Sequence, residues 1–162
     1  MSLINVKDEN GNWWEALSLW NKVVNWSHYK TSDRDFQAQV KALLGYLWNE
    51  KDWLKAEFPD KSRRIEDFLT QSTHIKVVAD LANTVKHRKL TKRSRSQARQ
   101  TDYYGRVGTG SAERRLHFIE VGAGQHREIM EILRGALDEY EELKRELWVA
   151  RSNPSLDRPA AQ

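Results

Sequence analysis

The segment VADLANTVKH, residues 78–87, is the most informative part of the sequence for the fold of this chain. At about 100° per residue, its apolar residues fall on one side of a helix and most of its polar residues on the other. The apolar set is Val78, Leu81, Ala82 and Val85, and the polar set is Asp80, Asn83 and His87. The segment therefore predicts a helix with one face in the core and a carboxylate, an amide and an imidazole on the solvent face.

Helical spacing of apolar residues also predicts three helices before this one. The first starts with Asn12 as its cap and runs to about Tyr29, and the second is capped by Ser32. A short third helix follows Pro59, with Asp60 as its cap. The core-facing stripes are Trp13, Leu17, Trp20 and Val24; then Phe36, Val40, Leu43, Leu44 and Leu47; then Ile65, Phe68 and Leu69.

After the fourth helix the pattern changes, because five of the eight glycines lie between Gly105 and Gly124. Residues 102–107 and 115–121 are predicted to form two strands of a hairpin, and a long helical stripe then runs from Ile129 to Leu147. The sequence thus predicts a mainly α fold, a four- to five-helix bundle with a small β-hairpin inserted before the last helix. We expect one domain over residues 1–150, with the hairpin insertion at about 100–124 and a flexible tail at 151–162.

The composition of the chain bears on three questions: whether it spans a membrane, whether it is secreted and whether it holds a metal or a cofactor. The chain is 39% hydrophobic and 31% charged, and no window approaches the roughly 18 apolar residues of a membrane span. It contains no cysteine and begins without the pattern of a secretory signal, so we expect a cytoplasmic protein. The five histidines lack metal-ligand spacing, and no cofactor-binding motif occurs; we therefore expect neither a metal site nor a cofactor.

A block of cations without any acidic residue follows the fourth helix. One interpretation is contact with the phosphates of a nucleic acid, with Tyr103 and Tyr104 stacking on bases. The other is a solvated connection whose charges complement the end of the helix dipole, with both tyrosines packed in the hairpin. The block consists of Lys86, Arg88, Lys89, Lys92, Arg93, Arg95 and Arg99.

The polar helix face is a second candidate site. His87 is a candidate general acid or base, because the ordinary pKa of a histidine is about 6.5. Asn83 precedes it by one helical turn. Lys86 and Arg88 flank the histidine and are able to offset the charge of a phosphorane. The alternative is a hydrated polar stripe of the kind that many helices carry.

Six of the seven tryptophans fall in the first 53 residues. Their spacing favours core packing for Trp20 and Trp48. Trp13, Trp14 and Trp26 cannot all face one core, which indicates a homodimer or a protein-partner surface.

The run ADLANTVKH, residues 79–87, followed by a broken hairpin and an acidic amphipathic helix, resembles small bacterial proteins with an Asp-Leu-x-Asn-x-x-Lys-His signature. Those proteins look like distant members of the HEPN superfamily, whose site is an arginine, a polar residue, three variable residues and a histidine. The resemblance spans about residues 35–148. Asn83 matches the polar position and His87 the histidine, whereas Ala82 stands where the family has arginine.

The resemblance implies a dimeric helical bundle that binds RNA. Its catalytic form is a metal-independent ribonuclease of a toxin–antitoxin or antiviral defence system, with His87, Asn83 and Lys86 as the catalytic residues. Ala82 leaves the enzyme assignment open, because alanine cannot bind a phosphate as arginine does. The alternative is a non-catalytic module of the same fold that binds a protein or a nucleic acid.

Overall fold

A computed structural model describes residues 11–25, 32–87, 98–107, 114–121 and 124–152. Within these ranges, the side chains of residues 33, 86, 87, 98–107, 114 and 115 are not described. The ordering of elements in the described ranges is helices first, then a sheet, then a last long helix.

The mainly helical architecture with a small antiparallel sheet before the last helix confirms the predicted fold class. The described ranges contain five α-helices: α1 (Asn12–Val24), α2 (Asp33–Glu57), α3 (Ser62–Gln71), α4 (Ile75–His87) and α5 (Ile129–Ser152). A 3-10 turn, Pro59–Lys61, joins α2 to α3. The strands are β1 (Ala98–Val107), β2 (Arg114–Val121) and β3 (His126–Glu128), antiparallel in the order β1-β2-β3.

The sheet is larger than the predicted hairpin. Strand β1 begins at Ala98 rather than at Asp102, and its pairing with β2 shifts register between Gln100 and Tyr104. The short strand β3 was not predicted, because three residues are too few to show a period in the sequence. It pairs with β2 immediately before α5 and so fixes where the last helix begins.

Helix α4 lies at the centre of the fold. It packs against α2, α3, α5 and β1, and every residue from Val77 to Ala82 is buried. The stripes predicted for α2 and α5 line the same core: Phe36, Val40, Leu43, Leu44 and Leu47 on α2, and Ile129, Ile132, Leu133, Ala136, Leu137, Tyr140, Leu143 and Leu147 on α5 are all buried. These two predictions are confirmed.

Helix α1 is rotated relative to the prediction. Its buried residues are Asn12, Ala16, Leu19 and Val23, one position before each member of the predicted stripe, and it ends at Val24 rather than at Tyr29. Asn12 is not the helix cap, since Gly11 occupies that position. The Asn12 side chain instead points inward and donates hydrogen bonds to the Tyr46 carbonyl at 2.7 Å and to Glu50 Oε2 at 2.6 Å. Trp13, Leu17 and Trp20 of the predicted stripe are half-buried against the same core, and the Asn12 side chain anchors the start of α1.

A carboxylate from α5 caps the start of α4. Glu139 accepts hydrogen bonds from the backbone N–H groups of Thr73, His74 and Ile75 at 2.8 to 3.1 Å. It also lies 2.9 Å from Nδ1 of the His74 ring. A carboxylate at this end satisfies N–H groups that have no partner within the helix and complements the positive end of its dipole. The cap therefore ties α4 to α5.

Gly135 of α5 leaves room for the His74 ring to pack against that helix. A Cβ added at Gly135 would overlap that ring, whereas a Cβ added at Gly45 on α2 would meet no atom of the described residues within 4 Å. We expect Gly135→Ala to lower the free energy of unfolding by about 1 kcal/mol, because overpacking outweighs the gain in helix propensity. The matched variant Gly45→Ala is expected to raise it by up to about 1 kcal/mol. Urea unfolding of both variants checks the prediction, and equal gains would show that the ring moves away at no cost.

Candidate functional site

The polar face predicted for α4 is only partly exposed. Asp80, predicted to face solvent, is 2% exposed and lies in the core, so that expectation was wrong. The pattern assumed that α4 buries one face only, whereas four elements surround it. The opposite error affects Val85, which was predicted in the core and is exposed.

The accessible part of α4 begins at Asn83. Ala82 is buried, Asn83 and Thr84 are half-buried, and Val85 is exposed, so the helix emerges from the core over this last turn. The Thr84 hydroxyl donates to the carbonyl of Asp80 at 2.8 Å and so remains bound to its own helix. The backbone of Lys86 and His87 continues the helix, and their side chains lie outside the described part of the structure. Whether Asn83, Lys86 and His87 converge therefore stays a prediction.

Most of the basic block lies outside the described residues, namely Arg88, Lys89, Lys92, Arg93 and Arg95. Arg99, the last residue of that block, is the second residue of β1. It lies opposite Glu120 of β2 in the strand register. Because β1 packs against α4, the backbone of Arg99 belongs to a strand that contacts the helix carrying the predicted site.

A second site comes from three helices that are far apart in the sequence. Lys144 of α5 places its Nζ 2.6 Å from Oε1 of Glu50 on α2. Asn12 of α1 holds the other carboxylate oxygen, Oε2, at 2.6 Å. The Glu50 side chain is only 4% exposed and that of Lys144 is 20% exposed. We call these three residues the Lys144 triad.

Burial has the largest effect on the pKa of Lys144 in this triad. Loss of hydration lowers the pKa of Lys144 from its usual 10.5, although attraction to Glu50 and Glu141 opposes the shift. The ammonium group also lies 3.7 Å from the ring centroid of Trp13, within the range of a cation–π interaction. The amine is thus partly desolvated, while a carboxylate stands within hydrogen-bond distance of it.

The triad forms the floor of a groove of about 580 Å³ between α1, α2 and α5. Trp14, Trp53 and Trp148 line it and are each at least half exposed. At one end, Arg151 pairs with Glu57 at 2.7 Å and lies over the ring of Trp148, 5.1 Å from its centroid. We call this feature the tryptophan groove. An apolar cleft with a few convergent polar groups and a shifted pKa is the usual form of a ligand site.

The sequence prediction missed the triad because its members belong to three separate segments. One signal was available: Glu50 lies on the helical face that also carries Leu43, Leu47 and Leu54. A carboxylate within a core stripe indicates a buried partner, since isolated charges are not stable in the interior. The partner itself could not be identified from spacing.

The described ranges contain no group of three or more histidine or acidic side chains placed to hold a metal ion. None of the helices described is both long and apolar enough to cross a membrane.

No protein-family model matches this chain, and neither a curated protein nor a solved structure is significantly similar to it.

Proposed function

We propose that this protein binds RNA at the end of α4, as the resemblance to HEPN proteins implies. The observation that carries the proposal is the charge of the sequence that follows the exposed end of α4. Helix α4 leaves the core at Asn83, and the sequence then supplies seven cations and no acid between Lys86 and Arg99. In this proposal, a polyanion binds beside the turn in which Asn83 and Thr84 are half-buried and Val85 is exposed.

The catalytic form of the proposal assigns one role to each residue. The His87 imidazole removes the proton of a ribose 2′-hydroxyl, whose oxygen then attacks the adjacent phosphate. Asn83 positions that phosphate, while Lys86 and Arg88 offset its developing charge. The resemblance also suggests the setting, a cytoplasmic dimer in a toxin–antitoxin or defence system.

Binding is tested by titrating a fluorescent single-stranded RNA at two or more salt concentrations. Each phosphate contact contributes about −0.7 to the slope of log K against log salt, so a steep slope is expected. Replacing Arg93 by glutamine should reduce the slope by about that amount if Arg93 contacts one phosphate. Arg134→Gln is the matched control, because Arg134 is an exposed arginine of α5 outside the basic block. Absence of RNA binding at low salt would refute the proposal.

Cleavage is tested separately, by incubating RNA with the protein in the presence of a metal chelator. If the protein is a metal-independent nuclease, it cuts RNA under these conditions and His87→Ala abolishes cutting without changing the circular dichroism spectrum. Equal cleavage by that variant would remove His87 from the mechanism. Binding without cleavage would leave the RNA-binding proposal standing and exclude the catalytic form.

A non-catalytic interaction module is the second candidate, and two observations favour it. Ala82 occupies the arginine position of the family pattern and is buried, so the position faces the core rather than a substrate. The tryptophan groove resembles a protein interface in having an aromatic centre and the Glu57–Arg151 ion pair at its edge. A homodimer or a protein partner covering the groove is the corresponding proposal. Light scattering at several protein concentrations measures self-association.

A further inference from the structure

The amine of Lys144 lies at the boundary between the core and the tryptophan groove. Its side chain lines the groove, yet only a fifth of that side chain is exposed. A buried ion pair often adds little to folding stability, because two well-packed apolar side chains in the same place stabilise a core as well or better. This position therefore invites a chemical role in addition to a structural one.

The surroundings of the amine favour reaction as a nucleophile. A lysine attacks an electrophile only as the neutral amine, which burial favours. Glu50 Oε1, at 2.6 Å, is in position to accept the proton that the amine must lose. Asn12 holds Glu50 through its other oxygen, so the acceptor is fixed before any ligand arrives.

Lys51 provides an internal comparison. It also pairs with a carboxylate at 2.6 Å, that of Asp52, and its Nζ lies 4.9 Å from the ring centroid of Trp48. Asp52 is 62% exposed, however, and Lys51 is not part of the groove wall. Lys144 and Lys51 thus share an ion pair and an aromatic neighbour, and they differ in the desolvation of the carboxylate and in the adjoining groove.

We propose that Lys144 is a reactive amine that condenses with an aldehyde carrying a flat, apolar body, forming an imine on the floor of the groove. Glu50 takes a proton from the ammonium group, and the nitrogen lone pair then forms a bond to the carbonyl carbon while the π electrons of the C=O bond move to the oxygen. A second proton passes from the nitrogen to that oxygen, which gives the neutral carbinolamine. Glu50 then returns its proton to the hydroxyl group, and the C–O bond breaks with loss of water as the nitrogen lone pair forms the C=N bond. The product is a protonated imine opposite the Glu50 carboxylate, so charge and atoms balance.

The walls of the groove define the ligand class. Trp14 and Trp53 offer half-exposed indole surfaces to an aromatic ring, and a volume of about 580 Å³ accommodates a small bicyclic molecule. The polar groups of the Lys144 triad, at the floor of the groove, contact the carbonyl end of the aldehyde. This inference goes beyond the proposed RNA binding and shares no residue with it, so either one can fail alone. It uses the same groove as the interaction-module alternative, and a protein that covers the groove would exclude the aldehyde.

The test traps the imine in the full-length protein. We would incubate the protein with 2-naphthaldehyde and cyanoborohydride at neutral pH, then quantify the modification of each lysine by peptide mass spectrometry. Lys144 is expected to react several-fold faster than Lys51. Equal labelling of the two lysines in protein shown to be folded by circular dichroism would overturn the proposal.

Two variants separate the groove from the amine. Lys144→Arg keeps a cation beside Glu50 and is expected to lose this modification while Lys51 labelling is unchanged. Trp53→Ala is expected to slow the labelling of Lys144 by naphthaldehyde and to leave its labelling by formaldehyde unaltered, because formaldehyde has no ring to bind. Slowing of both reagents by the same factor would show that the groove does not select the ligand.

Discussion

Replacing Lys144 by methionine is expected to lower the free energy of unfolding by about 3 kcal/mol. The variant leaves the Glu50 carboxylate, which is 4% exposed, with the Asn12 amide as its remaining hydrogen-bond partner among the described residues. A buried charge without its counterion costs about 3–5 kcal/mol, and we take the lower end because the groove admits water. Equilibrium unfolding in urea at neutral pH measures the loss.

Two controls show whether the loss comes from charge. Lys51→Met removes an ion pair of the same length whose acid is exposed, so it should cost less than about 1 kcal/mol. The double variant Glu50→Gln with Lys144→Met removes both charges and should recover most of the stability that the single variant loses. A double variant as unstable as Lys144→Met would assign the effect to lost packing.

Glu139→Ala is expected to cost about 3 kcal/mol of unfolding free energy, because its carboxylate accepts hydrogen bonds from three backbone N–H groups. These groups lie at the start of the central helix α4, where His74 is half-buried, Ile75 is buried and the Glu139 side chain is 17% exposed. Loss of the acceptor also removes the favourable interaction with the helix dipole. Unfolding in urea measures the total effect.

The local origin of this effect can be measured separately. Amide hydrogen exchange of Thr73, His74 and Ile75 should accelerate in Glu139→Ala and remain unchanged in Glu142→Ala, an exposed residue of the same helix. Glu139→Gln keeps an acceptor oxygen and loses the charge, so we expect an intermediate loss of stability. A cost below 1 kcal/mol for Glu139→Ala would mean that other groups replace the cap.

The helical periods of α2 and α5 were readable because each helix buries a single continuous stripe. All of the apolar residues predicted for the α2 core, from Phe36 to Leu47, and for the α5 core, from Ile129 to Leu147, are buried. The Ser32 cap was also predictable, because it acts within one turn: its Oγ accepts from the N–H of Asp35 at 3.3 Å. Interactions that are local along the chain leave a local signal.

The candidate sites were harder to predict. Helix α4 has an amphipathic pattern, but burial on several sides placed Asp80 in the core and left the accessible face to begin at Asn83. The Lys144 triad and the tryptophan groove have no signature in spacing, since each helix contributes only one member of the triad. The roles of His87, Lys86 and the basic block stay predictions.

The amino-acid sequence by itself determined the order of helices and sheet, the stripes of the longest helices and the one-sided charge after α4. The tertiary structure alone decided which polar groups left water, which is why Asn12 anchors α1, Glu139 caps α4 and Glu50 meets Lys144. The physical reason is that the spacing of apolar residues in a sequence shows which face of a single helix or strand is buried. The desolvation of a charge depends on every element packed around it.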